Sequence, residues 1–343
     1  ADTRLMATPG GTVDLQTGLV RPNRREDFMT KMTLAKPGNP ADKPLGWLGF
    51  LHDVTDGDRA LQEYLQRVAG YALTGETTEH ALFFFFGTGA NGKSVFLNTL
   101  AAIMGDYATN APMDTFLESK NDRHPTDLAG LRGARLVTSI EVEKGRRWAE
   151  AKIKSLTGGD KISARFMRQD FFEYTPQFKL LIAGNNKPSI RDVDEAMKRR
   201  MHLIPFTVTI PPHRRDPQLA KRLLAEKDGI LRWAIDGCLA WQREGLKPPA
   251  RVVAATEEYL EAEDALGRWL EEACDRLPSA NTTTNELFAS WKTWTERSGE
   301  YTGTMRKFSE DLAKRGLPRW RSGSLRGFAG IALKDQGSQE QML

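Results

Sequence analysis

Ala81-Leu82-Phe83-Phe84-Phe85-Phe86, followed at once by Gly87-Thr88-Gly89-Ala90-Asn91-Gly92-Lys93-Ser94, is the stretch on which the reading of this chain turns. The six apolar residues do not alternate with polar ones, so they suit a strand covered on both faces, as in a parallel sheet. The next eight spell G-x-x-x-x-G-K-[ST]. Glycines accept positive φ and let backbone N–H groups close around a phosphate. A helix expected over residues 92–104, ending at Gly105, turns its positive end on the same anion. Lys93 would reach the β and γ phosphates, and the Ser94 hydroxyl would ligate Mg²⁺. Gly87, Thr88, Gly89, Ala90, Asn91, Gly92, Lys93 and Ser94 are therefore the expected cradle for ATP with Mg²⁺. A kinase, a GTPase and a motor all carry such a loop, so it points to nucleotide binding and no further.

Outward from the loop, buried strands are expected at residues 135–140, 178–183 and 201–206. Strands alternating with helices argue for an α/β layer fold. A phosphate loop needs acids to hold the metal and orient a water. Glu141 and Glu143 stand at the end of the first of these strands, and residues two apart on a strand face the same way. Both carboxylates are expected at the nucleotide, with Glu141 the better candidate, set down for the metal; which of the two serves the metal and which the water stays open. Asn185 ends the next strand, where an amide can bridge the γ-phosphate and the attacking water; Gly184-Asn185-Asn186-Lys187-Pro188 is also good turn chemistry. Arg199-Arg200 precede the last strand. Delivered to a neighbouring subunit's nucleotide, such an arginine is worth about 10³–10⁵ in rate. The bland alternative is a basic helix end complementing its dipole.

The flanks read differently. Turn residues fill the first 43 positions, with a hairpin expected over residues 12–19, and an amphipathic helix follows at 58–73. Residues 216–245 and 251–277 read as largely helical. Thr283 with Glu286 makes a capping box that opens a helix through Glu296. A second helix, 304–315, precedes a basic hairpin, Arg319-Trp320-Arg321-Ser322-Gly323-Ser324-Leu325-Arg326. Helix, helix, basic hairpin is the order of a winged helix-turn-helix. The expected division is 1–75 (hairpin and helical collar), 76–210 (P-loop ATPase core), 211–262 (helical lid) and 263–343 (winged-helix-like).

With 343 residues there is room for two or three domains, and 40% hydrophobic residues is ordinary for a globular chain. No apolar run nears the roughly 20 residues that span a bilayer. The opening Ala-Asp-Thr-Arg shows neither an apolar signal core nor a Met, as expected of a fragment or processed product. Cys238 and Cys274 lack neighbours at metal-ligand spacing and fit a reducing cytoplasm. Lys plus Arg exceed Asp plus Glu by only 49 to 45, so nucleic-acid binding requires the positive charge to be clustered.

Taken together, these segments resemble the superfamily 3 helicases of small viruses, phages and plasmids. The likeness is greatest to the helicase half of phage and plasmid primase–helicases, which are related to the poxvirus primase–helicase. It begins at Val13-Asp14-Leu15-Gln16-Thr17-Gly18 and continues through Glu63-Tyr64-Leu65-Gln66-Arg67-Val68-Ala69-Gly70-Tyr71 and Leu73-Thr74-Gly75. Asn91 is the distinguishing residue of the phosphate loop. The resemblance implies Glu141 and Glu143 as the acidic motif, Asn185 as sensor, and Arg199 or Arg200 as the trans-acting finger. Lys154-Ser155-Leu156-Thr157-Gly158-Gly159-Asp160 and Ile162-Ser163-Ala164-Arg165 look like the family's extra motif, leading into a DNA-contacting hairpin. Two departures are Gly184, where Thr or Ser often precedes the sensor, and Lys198, where an aromatic often precedes the arginine pair.

What the resemblance implies is an AAA+-like P-loop core with a helical N-terminal region and a C-terminal winged helix. The implied activity is an ATP-driven DNA helicase or translocase, working as a homo-hexamer in the cytoplasm of a bacterial host. A primase would be linked to it or separate, since no primase half stands in this chain. Residues 161–174 can form a hairpin with its tip near Arg168, placing Lys161, Arg165 and Arg168 on single-stranded DNA in a pore. Arg306, Lys307, Arg319, Arg321 and Arg326 would meet duplex at the winged helix. Solvated strand faces or a protein-binding module with the same architecture are the alternatives. At the level of function, an ATP-binding DNA initiator or loading platform without unwinding, and a P-loop phosphotransferase, stay open.

Overall fold

The computed structural model describes residues 2–119, 126–141, 143–191 and 193–334. The chain divides into two compact units, Ala1–Tyr259 and Leu260–Leu343.

The first unit opens with an antiparallel meander of β1 (Leu5–Thr8), β2 (Gly11–Asp14) and β3 (Val20–Arg21). The hairpin expected at 12–19 is there as β2 and β3, tightened by Gly18 N–H to Asp14 O at 2.7 Å. Its partner β1 was not anticipated from sequence. Helices α1 (Leu45–Thr55) and α2 (Arg59–Leu73) follow. Asp58 starts α2 by accepting the Leu61 N–H at 3.0 Å, a side-chain cap that satisfies one of the first-turn donors.

Next come β4 (Leu82–Phe86), α3 (Lys93–Met104), β5 (Ala108–Asn110), α4 (Thr126–Ala129), β6 (Leu136–Ile140) and α5 (Glu150–Gly158). A hairpin of β7 (Ile162–Ala164) and β8 (Phe172–Tyr174) leads to β9 (Lys179–Gly184), α6 (Glu195–Lys198) and β10 (Met201–Pro205). Five of these strands form one parallel sheet in the order β10-β4-β9-β6-β5. The unbroken apolar run behaves as expected of a strand buried on both faces. On one face Phe85 meets Phe96 of α3 at 5.5 Å between ring centroids, and Phe96 stacks on Trp47 of α1 at 5.5 Å. On the other, Phe84 meets the edge of Trp148 at 5.6 Å. Edge strand β5 carries no apolar pattern, which is why sequence reading passed over it.

Helices α7 (Leu219–Ala225) and α8 (Lys227–Glu244) follow in the first unit, and α9 (Ala250–Glu263) begins in it. Helices α2 and α8 cross on glycine. A Cβ on Gly70 would lie 2.0 Å from the Cys238 nitrogen, and one on Gly237 2.0 Å from the Gln66 carbonyl. At the amino edge of the sheet two buried cations hold the end of α2: Arg135 donates to Leu73 O at 2.8 Å, and Lys179 to Thr74 O and Glu76 O. Burial drives the Lys179 pKa well below the usual lysine range.

The second unit holds α10 (Ala265–Ala273), β11 (Cys274–Asp275), β12 (Asn281–Thr283), α11 (Thr284–Ser298), α12 (Met305–Lys314), β13 (Arg319–Ser322), β14 (Leu325–Ala329) and β15 (Ala332–Leu333). Its sheet runs β12-β14-β13, with β11 paired to β15. Trp269, Leu287, Trp291, Phe308, Leu312, Phe328 and Ile331 make a separate core. The Thr283–Glu286 capping box forms as read. Residues 251–277 are largely helical as expected, in two helices: Asp264 caps the second by accepting Gly267 N–H at 3.0 Å. That helix stops at Ala273, because Cys274 and Asp275 pair with Leu333 and Ala332. Among the described residues no helix is long and apolar enough to cross a membrane.

Candidate functional site

Parallel pairing brings three strand ends to one edge. Phe86 of β4 is level with Gly184 of β9, and Ala183 of β9 with Ile140 of β6. The phosphate-type loop, Asn185 and Glu141 therefore leave the sheet side by side. Gly87, at φ 149°, lies so close to the strand beside it that a Cβ there would meet the Phe206 carbonyl at 2.0 Å. Gly92 ends the loop and α3 begins at Lys93 with no side-chain cap, so its first-turn N–H groups are left for an anion.

Asn91, 3% exposed, splints the loop from within. Its Nδ2 donates to Phe206 O at 2.7 Å and to Thr88 O, while its Oδ1 accepts from Lys93 Nζ at 2.9 Å. Lys93 also donates to Gly87 O at 2.8 Å and to Asn185 Oδ1 at 3.2 Å. These three acceptors are neutral, so the ammonium brings an uncompensated positive charge, and burial lowers its pKa from the usual lysine value. Thr88, Gly89, Ala90 and Ser94 are exposed on the loop's open side. Two partners from beyond β10 were missed in the sequence: Thr209 Oγ1 lies 3.2 Å from Thr88 Oγ1, and Ile210 N–H donates to Ala90 O at 2.8 Å. No motif marks these residues; only the sheet order brings them here.

The acids require a correction. Strand β6 ends at Ile140, and Glu141 has φ 76°, in the left-handed region. Strand alternation is broken there, so Glu141 and Glu143 do not share a strand face as spacing alone suggested. Glu141 stays at the sheet edge, exposed, its N–H donating to Ala183 O at 3.0 Å. Glu143 is exposed and meets Arg146 at 3.3 Å. Among the described residues no group of three His, Cys, Asp or Glu is arranged to hold a metal. A hydroxyl and one carboxylate, Ser94 and Glu141, suit Mg²⁺, which keeps waters and takes phosphate oxygens along with one or two protein donors.

The arginine pair divides. Arg200 is 6% exposed and turned inward, its Nε donating to Thr157 Oγ1 at 3.1 Å and its guanidinium to Ala196 O at 2.8 Å. Arg199 is exposed and makes no side-chain hydrogen bond or ion pair among the described residues.

Residues 161–174 form the expected hairpin, and Arg168 sits at its tip with φ 61°. Lys161 and Arg168 are exposed, while the Arg165 guanidinium lies over the Phe171 ring at 4.7 Å. The tip also exposes Phe166, Met167 and Phe171, an apolar feature that charge counting overlooked. In the second unit the cations fall into two kinds. On α12, Arg306 pairs with Glu310 at 3.0 Å and Lys307 with Asp311 at 2.9 Å. On the hairpin, Arg321 is directly opposite Arg326 and two residues from Arg319, and none of the three meets a carboxylate among the described residues.

A parallel sheet carrying this strand–loop–helix at its carboxyl edge is a mixed α/β fold consistent with a P-loop-like core. Known proteins extend that class. The family described as "D5 N terminal like" matches residues 1–56, and a family of unknown function (DUF5906) matches residues 85–200. The "Putative helicase 022R" of Frog virus 3 (isolate Goorha) is 26% identical over 277 residues, covering 75% of this chain and 28% of that protein. The "Putative helicase L207/L206" of Acanthamoeba polyphaga mimivirus is 24% identical over 327 residues, covering 87% and 33%. This chain thus spans about a third or less of the curated relatives it matches. Among solved structures, the apo NrS-1 C terminal region superposes with a TM-score of 0.52 at 12% identity, covering 87% of this chain and 78% of that one, a likeness of fold. The resemblance read from the motifs agrees with these matches: the chain is similar to a D5 N terminal like segment and to viral proteins named putative helicases.

Proposed function

We propose that this chain is the ATP-driven motor of a DNA helicase or translocase from a phage- or plasmid-type replication protein. The observation that carries the reading is the contact of Lys93 with Asn185 at the shared sheet edge, beside an uncapped helix start. ATP would lie in the loop of residues 87–94, with Lys93 on its terminal phosphates. Mg²⁺ would be held by Ser94 and Glu141, supplying charge neutralisation to the phosphates. Asn185 would orient the attacking water, and Glu141 or Glu143 would take its proton. The related viral proteins named as helicases support the role.

In this reading the sheet is an AAA+-like core (76–210) between a collar (1–75) and a lid (211–262), and residues 263–343 act as a winged helix. Subunits form a homo-hexameric ring, and the exposed Arg199 reaches the neighbour's nucleotide. Lys161, Arg165 and Arg168 line the pore on single-stranded DNA, and Arg319, Arg321 and Arg326 meet duplex phosphates. The test is ATP hydrolysis with and without single-stranded DNA, beside unwinding of a forked duplex. Wild type should turn over faster with DNA and open the fork, and Lys93→Ala should do neither. Unchanged turnover in Lys93→Ala removes the loop from the mechanism; DNA binding with hydrolysis-independent function would instead fit a loading platform.

A further inference from the structure

Among the described residues, β6 and β9 pair up to the sheet edge, and the chains leaving them pair again further on. Their regular pairing ends at Ile140 and Ala183. The two chains rejoin where Arg147 pairs in parallel with Ser189, through Ser189 N–H to Arg146 O at 2.9 Å and Trp148 N–H to Ser189 O at 3.0 Å. Glu141 and Glu143 lie on one side of the resulting eyelet, and Asn185 on the other.

A buried knot ties the far end. Trp148 Nε1–H donates to Tyr259 Oη at 3.1 Å, and the Tyr259 hydroxyl donates in turn to the Pro188 carbonyl. Trp148 is 1% and Tyr259 4% exposed, so water does not compete for these groups. A hydroxyl that both accepts and donates has its rotation settled. The ammonium of Lys187 lies 4.2 Å from the Phe86 ring and 5.6 Å from that of Tyr259, which links the same knot to the residue just before the phosphate loop.

We propose that Tyr259 is a positioning residue for nucleotide turnover: its hydroxyl sets the spacing between the loop bearing Glu141 and the loop bearing Asn185. It does so from α9, through Trp148 and Pro188. The inference rests on the nucleotide reading given above. Reacting groups misplaced by about 1 Å lose on the order of 10²-fold in rate, so slack in the eyelet should appear in the chemical step before it appears in binding.

Tyr259→Phe keeps the ring and its packing and removes both hydrogen bonds. The expected result is a kcat lowered about tenfold, with KM and the affinity for a non-hydrolysable ATP analogue within about twofold of wild type. Trp148→Phe should behave alike. In an Asn185→Ala background, Tyr259→Phe should add little, because the spacing it maintains no longer has a sensor to place. Hydrogen exchange at the Trp148 and Ser189 amides should rise in Tyr259→Phe while β6 and β9 stay protected. Wild-type kcat in Tyr259→Phe, equal losses in kcat and affinity, or fully multiplicative effects with Asn185→Ala each overturn the proposal. Exchange needs no turnover: unchanged protection at both amides refutes the tie itself. If exchange responds but wild type hydrolyses nothing, the tie stands and its role in turnover falls with the nucleotide reading.

Discussion

The Lys93 ammonium lies 3.2 Å from Asn185 Oδ1, so the loop after β4 and the end of β9 are in direct contact. Asn185→Ala should leave nucleotide affinity within a few-fold and lower turnover by about 10²-fold, the usual cost of removing one aligned polar group from a reacting centre. Asn185→Asp should act on the other step. A carboxylate at that distance pairs with Lys93 and keeps it from phosphate, so affinity for a fluorescent ATP analogue should fall at least about tenfold. If both variants bind alike and turn over alike, the contact has no part in the site.

Arg199 and Arg200 should separate cleanly. Arg199→Ala should fold with wild-type stability and lose about 10³-fold in turnover, restored in part when mixed with a Lys93→Ala protein that supplies the arginine. Arg200→Ala strips the partner from Thr157 Oγ1 and should cost about 1–3 kcal/mol in urea denaturation. A stability loss in Arg199→Ala, or none in Arg200→Ala, would reverse these assignments.

The ion pairs on α12 divide its cations from those of the neighbouring hairpin. Arg319→Ala, Arg321→Ala and Arg326→Ala combined should reduce the slope of log K against log salt for a blunt duplex by about 2 to 3, near 0.9 for each phosphate no longer neutralised. Arg306→Ala with Lys307→Ala should change it by less than about 1, since both side chains are already paired on the helix. Equal effects from the two sets would show that intrahelical pairing does not matter for this surface.

His202, on β10, is held neutral. Its Nδ1 lies 2.7 Å from the Tyr64 hydroxyl, and burial lowers its pKa to about 4. A histidine at its ordinary pKa near 6.5 in the unfolded chain takes up a proton that the folded one refuses. Stability from this group is therefore complete above about pH 6.5 and is lost as pH falls toward 4, by roughly 3 kcal/mol in all. Denaturation midpoints measured from pH 7 to 4.5 should show that decline, and His202→Gln should flatten it. An equal decline in both proteins would assign the acid sensitivity elsewhere.

Much of the site was legible because its parts are local in sequence. An apolar run, a glycine-rich loop and a helix start are contiguous from Ala81 to Ser94, and nothing in the tertiary fold had to be known to read them. Glu141 stands out as a candidate for the same reason, but its left-handed backbone does not, because nothing in Ile140-Glu141 signals a break in the strand. The difference between Arg199 and Arg200 also escaped, since it depends on Thr157, 43 residues away from Arg200. Edge strand β5 and the knot of Trp148, Pro188 and Tyr259 are wholly matters of topology. The helical character of 251–277 was legible from apolar periodicity, but the division into two helices rests on Asp264, whose short carboxylate competes for backbone N–H groups and opens a new helix.

The crossing of α2 and α8 has a practical meaning of its own. At Gly70 and Gly237 the two backbones touch with no room for a methyl group, so neither helix can slide or rotate against the other without first pulling apart. Such a seam tolerates no gradual weakening. Gly70→Ala should therefore yield a protein usable at low temperature and lost abruptly on modest warming, a conditional allele at a position outside the candidate site.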